Sequence, residues 1–242
     1  MSRAARTPYA ALLLALALAA CGGDGSSSST QQPLFVIPQN TGGYFPNPAN
    51  LYMAAAPLTY KTNRIIVVRG KAPVYPDTYI GESIFVAANP PGPIQLRYWS
   101  MCNNIEEAPY PVVLCRADYA TGLDANGYYT YVMSYEPSGV QPDWLPADAT
   151  WLPWGDTDEP NILILRNMLP EPSFSQAVQN ASAAGCTVDN QQGVTIPNAT
   201  LRAAADCAAG VMGAYYPRIA YCDQDLFIDQ GWQGCFDAAG VE

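Results

Sequence analysis

Side chains able to do chemistry are scarce in this chain, and the first clue is an absence. Among 242 residues there is no histidine. That excludes Ser–His–Asp triads, Cys–His dyads and imidazole-held zinc or copper. Thiols are more plentiful: Cys21, Cys102, Cys115, Cys186, Cys207, Cys222 and Cys235. None stands in a C-x-x-C pair, so neither a zinc cluster nor a thioredoxin-like redox motif is supported. Gly81-Glu82-Ser83-Ile84-Phe85 lacks the second glycine of a hydrolase elbow. There is no S-x-x-K dyad and no glycine-rich phosphate loop, and no cofactor is implied.

Arginine is the next group to weigh. Four cations, Lys61, Arg64, Arg69 and Lys71, crowd one short stretch, and Arg69, Arg97, Arg116 and Arg166 lie in or at the ends of apolar segments. Strand alternation puts Arg69 and Lys71 on one face with Ile65 and Val67, and Arg166 with Ile164 and Met168. An arginine among aliphatic side chains needs a carboxylate or carbonyl partner, because an unpaired buried charge is costly. Asp118, Glu136 and Glu82 are candidate partners. The functional alternative is a cationic patch for a carboxylate or a sulfated sugar. Arg69, Lys71, Trp99 and Arg166 are the candidate ligand-binding residues.

Aromatic and acidic groups complete the inventory. Tyr129, Tyr131, Met133 and Tyr135 share one strand face, and Trp144, Trp151 and Trp154 fall in the Pro-rich stretch that follows. Such surfaces either stack on sugar rings or pack a core. Asp156, Asp158 and Glu159 form one acidic cluster, and Asp223, Asp225 and Asp229 another. Neither matches a D-x-[DN]-x-[DN]-G calcium loop, so both read as solvated acidic loops and no metal site is assigned. Glu82, Glu106, Glu107 and Glu136 could in principle supply the carboxylate pair of a glycoside hydrolase.

The elements that must position these groups are mainly β. Runs at 34–37, 64–69, 83–88, 95–102, 110–119, 128–136 and 161–168 are rich in Val, Ile, Tyr and Trp and are separated by Pro, Gly, Asn and Asp. Asp124-Ala125-Asn126-Gly127 carries a tight-turn signal. Strands at short spacing without intervening helices predict an antiparallel β-sandwich or jelly-roll-like body over 34–170. From 171 to 242 a helical, disulfide-stapled segment is expected to pack on it. It holds a short helix at 173–184 capped by Ser173, and a longer one at 199–216 capped by Asn198 or Thr200. The latter's stripe is Leu201, Ala204, Ala205, Ala208, Val211, Met212 and Tyr215. The stretch from Pro217 onward reads as irregular.

The N-terminus reads as an address. Arg3 and Arg6 precede an apolar run from Ala10 to Ala20 that is too short to span a bilayer. Leu18-Ala19-Ala20-Cys21 resembles the lipobox of bacterial lipoproteins, and the Gly/Ser-rich stretch after it resembles their tethers. The resemblance implies removal of residues 1–20, a diacylglycerol thioether and an N-acyl group on Cys21, and a tether over 21–33. It also implies membrane attachment through that lipid. In a Gram-negative cell Gly22, where an inner-membrane lipoprotein carries Asp, favours the outer membrane; otherwise the cell surface is expected. Loss of two arginines with the signal takes the net charge from −10 to −12. Lys plus Arg number 11 against 21 for Asp plus Glu, so nucleic acid is not an expected partner.

Export makes the six other cysteines candidates for disulfides. Locality favours Cys102 with Cys115, Cys186 with Cys207, and Cys222 with Cys235, with exchange among the last four left open. A second resemblance rests on Arg97-Tyr98-Trp99-Ser100-Met101, Asn126-Gly127, Trp144-Leu145-Pro146 and Leu165-Arg166-Asn167-Met168-Leu169-Pro170, in that order. These are similar to the C-terminal β-sandwich of an uncharacterised bacterial family over about 95–170, which implies a fold and no catalytic residues. The expectation is therefore a lipid-anchored, non-catalytic envelope protein that binds a ligand or protein partner. A carboxylate-based glycan hydrolase and a purely architectural protein are the alternatives.

Overall fold

Alternating faces of strand-forming residues dictate the architecture. A computed structural model describes residues 32–39, 49–85, 87–88, 91–190 and 195–241. The signal, Cys21 and most of the tether lie outside the described residues. The strands are β1 (Ile37–Pro38), β2 (Asn50–Leu58), β3 (Arg64–Lys71), β4 (Ala87–Ala88), β5 (Pro91–Gly92) and β6 (Leu96–Ile105). They continue with β7 (Val112–Ala117), β8 (Tyr128–Ser134), β9 (Ala149–Pro153), β10 (Asn161–Pro170), β11 (Thr187–Val188) and β12 (Arg218–Asp223). Helices are α1 (Val178–Ala183), α2 (Asn198–Met212) and α3 (Gln224–Ala239).

Two four-stranded sheets form the body, in the orders β2-β10-β6-β7 and β12-β3-β8-β9. The first is antiparallel throughout; the second has one parallel pair, β8 with β9. Their inner faces share one core. Met53, Leu163, Leu165, Trp99 and Met101 come from the first sheet, and Ile66, Val68, Tyr131, Met133 and Leu152 from the second. Each fully buried side chain of this size contributes about 1.5–3 kcal/mol. The sheets are also joined by a polar link: the Asn103 side-chain amide donates to the carbonyls of Pro153 and Trp154 at 2.8 and 3.1 Å. The mainly β architecture with a stapled helical end is as the sequence suggests.

Three elements depart from expectation. The Ala-rich Asn50–Leu58 segment is a strand because Met53, Ala55 and Leu58 reach the core from it, and its edge position tolerates Pro57. Ala149–Pro153 is a strand rather than Pro-rich loop, burying Trp151 and Leu152 on opposite faces. The stretch from Pro217 is regular: β12 pairs with β3 along its whole length, and α3 follows. Conversely, the described part of 83–88 is turn apart from the two residues of β4.

The helices also start differently. Ser173 caps nothing; α1 begins at Val178, whose amide donates to the Asn167 side chain of β10 at 3.3 Å. Pro197, not Asn198 or Thr200, stands at the N-cap of α2. A buried stripe of Ala204, Ala205, Ala208 and Met212 seats α2, while α3 covers the outer face of the second sheet through Phe227, Cys235 and Phe236. The disulfides are Cys102–Cys115, Cys186–Cys207 and Cys222–Cys235, the three local pairings. They join β6 to β7, the β11 approach to α2, and β12 to α3. Disulfides of this kind belong to non-cytoplasmic compartments. No helix among the described residues is long and apolar enough to cross a membrane.

Candidate functional site

The four residues singled out from sequence fall in three places. Trp99 is fully buried between the sheets, packed against Tyr75 and Tyr129, and so serves the core rather than a ligand surface. Arg166 lies on the first sheet, its guanidinium 5.2 Å from the ring of Tyr52 beside it. Arg69 and Lys71 share the outer face of the second sheet, as alternation requires, and only Arg69 borders a large cleft.

Arg69 is held from four sides. Its guanidinium pairs with Asp124 and donates to the Thr130 hydroxyl at 2.7 Å. Its faces lie 4.0 Å from the Trp232 ring and 5.0 Å from the Tyr128 ring. Cation–π stacking of this geometry stabilises by about 0.5–2 kcal/mol per ring. The carboxylate partner is thus Asp124, not Asp118, Glu136 or Glu82. Asp124 belongs to the tight turn anticipated at Asn126-Gly127, where Oδ1 accepts the amides of Asn126 at 2.8 Å and Tyr128 at 3.0 Å. Burial works against the Asp124 carboxylate, yet the Tyr128 amide, Arg69 and the Asn126 amide outweigh it and hold the pKa below the ordinary aspartate value.

This arrangement fixes one wall of a cleft of about 670 Å³. Arg69 and Tyr128 come from β3 and β8, Tyr216 from the approach to β12 and Arg218 from its first position, and Trp232, Gln233, Phe236 and Asp237 from α3. Gly231, at φ 65°, breaks the helical path of α3 one residue before Trp232. The Cys222–Cys235 disulfide ties that half of α3 to β12. A second hollow of about 420 Å³ adjoins the cleft across Tyr216, Arg218 and Val241, with Arg202 and Asp206 on its far side. Aromatic rings with amide, guanidinium and carboxylate groups at their margins suit a flat ligand with polar edges, a sugar ring above all.

The other groups considered from sequence are elsewhere. Lys71 places its ammonium 5.8 Å from the Tyr215 ring. Tyr129, Tyr131 and Met133 are core, and so is Trp154; Trp151 is buried on the outer face under α3, and Trp144 packs edge-on to Phe227. Glu82, Glu106, Glu107 and Glu136 do not line the cleft; among the described residues the carboxylate that does is Asp237. Among the described residues no group of three His, Cys, Asp or Glu side chains is placed to hold a metal ion. Sequence reasoning missed Trp232, Arg218 and Tyr128. Trp232 carried one legible signal, a Gly-Trp-Gln step inside the Cys222–Cys235 loop.

No protein family matches the chain, and no curated protein does. An uncharacterised protein of Burkholderia cenocepacia is similar in structure at a TM-score of 0.37 and 14% identity, over 76% of this chain and 43% of that one. The VPA0106 protein of Vibrio parahaemolyticus gives 0.33 and 18%, over 52% of this chain and 27% of that one. The chain thus spans less than half the length of either.

Proposed function

We propose that this chain is an exported, lipid-anchored envelope protein whose β-sandwich holds a ligand without transforming it. The observation that carries the binding role is the cleft bounded by Trp232, Tyr128, Arg218 and Asp237. Its aromatic wall is fixed in advance by the Arg69 stack and the Cys222–Cys235 staple, so little ordering cost falls on the ligand. Glycoside hydrolysis takes a pair of carboxyl groups flanking the scissile bond; among the described residues Asp237 is the carboxylate lining this cleft, with Asp206 in the adjoining hollow and Asp124 held by Arg69, which favours holding a glycan over cleaving it. The anchor is supported by Leu18-Ala19-Ala20-Cys21 and by the Gly/Ser-rich residues after it. Several acyl chains on Cys21 would give durable attachment where one would not.

Both halves have a direct test. A thermal-shift screen of oxidised Gln32–Glu242, which contains both sheets and all three disulfides, should include neutral glycans, anionic sugars, fatty acids and calcium. A ligand at a hundredfold its Kd adds about 2.7 kcal/mol of stability. The expected result is a shift with a glycan that Trp232→Ala removes. A glycan shift that survives Trp232→Ala, or no shift with any sugar, overturns the cleft as the site. Incorporation of a radiolabelled fatty acid that Cys21→Ser abolishes is expected for the anchor; an unlabelled chain overturns it.

A further inference from the structure

The loop between β3 and β4 gathers four exposed large apolar side chains within seven residues. Tyr79, Ile80 and Phe85 are 75%, 71% and 79% exposed, and Ile84 is 47% exposed. Tyr119, from the turn after β7, stacks on Tyr79 with ring centroids 4.5 Å apart and extends the same patch. A soluble surface rarely gathers apolar side chains this way without a use for them.

The loop's two carboxylates bond its own backbone. Asp77 Oδ1 accepts the amides of Tyr79 and Ile80 at 3.1 and 3.4 Å, and Glu82 Oε2 accepts the Asp77 amide at 2.8 Å. Further backbone bonds close the turn, from the Gly81 and Glu82 amides to the Thr78 and Asp77 carbonyls. Both carboxylates are thus engaged with loop backbone while the apolar tips project. At the base, Arg97 donates to the Thr78 hydroxyl at 3.4 Å, which sets a guanidinium where a lipid phosphate could meet it.

We infer that this loop is a second membrane contact, a rigid apolar tip that enters the interfacial layer of a lipid bilayer. The inference rests on the anchored reading for its occupant. Ten residues, Gly22 to Gln31, separate Cys21 from the folded body. Fully extended they span at most about 36 Å. An acylated Cys21 would therefore keep the body beside a bilayer at all times, and aromatic and aliphatic tips over a basic residue suit that surface. The cleft-lining Arg69 lies at the end of β3 from which the chain passes, through buried Ala72 and Tyr75, into the loop. Seating the loop would hold the cleft at a set height above the lipid headgroups.

The test uses unlipidated Gln32–Glu242, so that it is independent of Cys21 acylation and of any cleft ligand. Ile84→Cys, labelled with an environment-sensitive dye, is mixed with phosphatidylcholine vesicles; Val140→Cys, on the exposed β8–β9 connection, is the control. The expected result is a blue shift and rise in emission at position 84 alone. Co-sedimentation with vesicles should fall about tenfold or more in Ile80→Ser/Phe85→Ser, whose melting temperature stays that of the unchanged chain. Emission at position 84 that ignores lipid, or equal sedimentation of the double variant, overturns the inference. A rise in emission with protein concentration in the absence of lipid overturns it in favour of self-association. Cys21→Ser labelling reads the anchor separately, so the two failures are distinguishable.

Discussion

Asp118 and Asp124 lie six residues apart in the same β7–β8 connection, and the fold treats them in opposite ways. Each accepts two backbone amides: Asp118 those of Trp99 and Tyr119, Asp124 those of Asn126 and Tyr128. Asp118 is 5% exposed, and burial pushes its pKa up to about 6 despite those amides. Asp124 faces the cleft side, where Arg69 tips the balance the other way. Asp118 lies so deep that two amides and the nearby Arg97 do not offset its desolvation, whereas the more exposed Asp124 has two amides and a directly bonded guanidinium that do. The charged pair borders the cleft, and the carboxyl with the raised pKa is buried.

Arg69→Ala should have the largest effect. It strands Asp124, removes the stack under Trp232, and is expected to lower stability by about 3 kcal/mol in urea unfolding, along with cleft binding. A loss below about 1 kcal/mol would mean that the pair is a surface one, worth little.

Removing a disulfide comes next. Cys102–Cys115 and Cys222–Cys235 both close a separation of 13 residues, so loop entropy predicts a similar cost of about 3 kcal/mol for each. Only Cys222→Ser/Cys235→Ser should also weaken glycan binding, because only that bridge holds the cleft-lining half of α3. Equal binding by both double variants would break the link between the staple and the site.

Asp118→Asn sharpens the comparison through pH. A carboxyl whose folded pKa is raised stabilises the fold fully below its unfolded value near 3.9, and that contribution is lost as pH rises through about 6. The asparagine variant should therefore gain roughly 1–3 kcal/mol on the unchanged chain between pH 4.5 and pH 7.5. Asp124→Asn should show the reverse sign, since a depressed pKa stabilises at neutral pH and that contribution disappears as pH falls. Parallel stability curves for the two variants would refute the opposition.

The smallest stability change is expected at Trp232→Ala, about 1 kcal/mol from the lost stacking. Its binding loss should be the most complete of the series. A large stability loss with binding retained would assign Trp232 to packing.

How much of this was legible beforehand differs by element. Period-two alternation with β-branched residues marked β3, β6, β8 and β10, and it put Arg69 on the correct face. Asn126-Gly127 marked the turn, though nothing in it said that Asp124 would reach Arg69. The Ala-rich β2 was hidden because alanine favours helix until a sheet edge and a core claim it. β12 was hidden because its partner, β3, lies about 150 residues away, and such pairings leave no local trace.

By itself the sequence determined the chemistry that is excluded and most of the stripe of α2, and it favoured the local cysteine pairings, because these depend on residue type and short spacing; the structure decided the pairing of the last four cysteines. Tertiary structure alone decided which aromatic rings are core and which face a cleft. Trp99 and Trp232 are the same residue type in unremarkable surroundings. One is sealed between two sheets, and the other is carried by a helix onto an arginine from a strand far away in the chain. Burial is a property of what lies opposite, and what lies opposite is set by packing between distant segments.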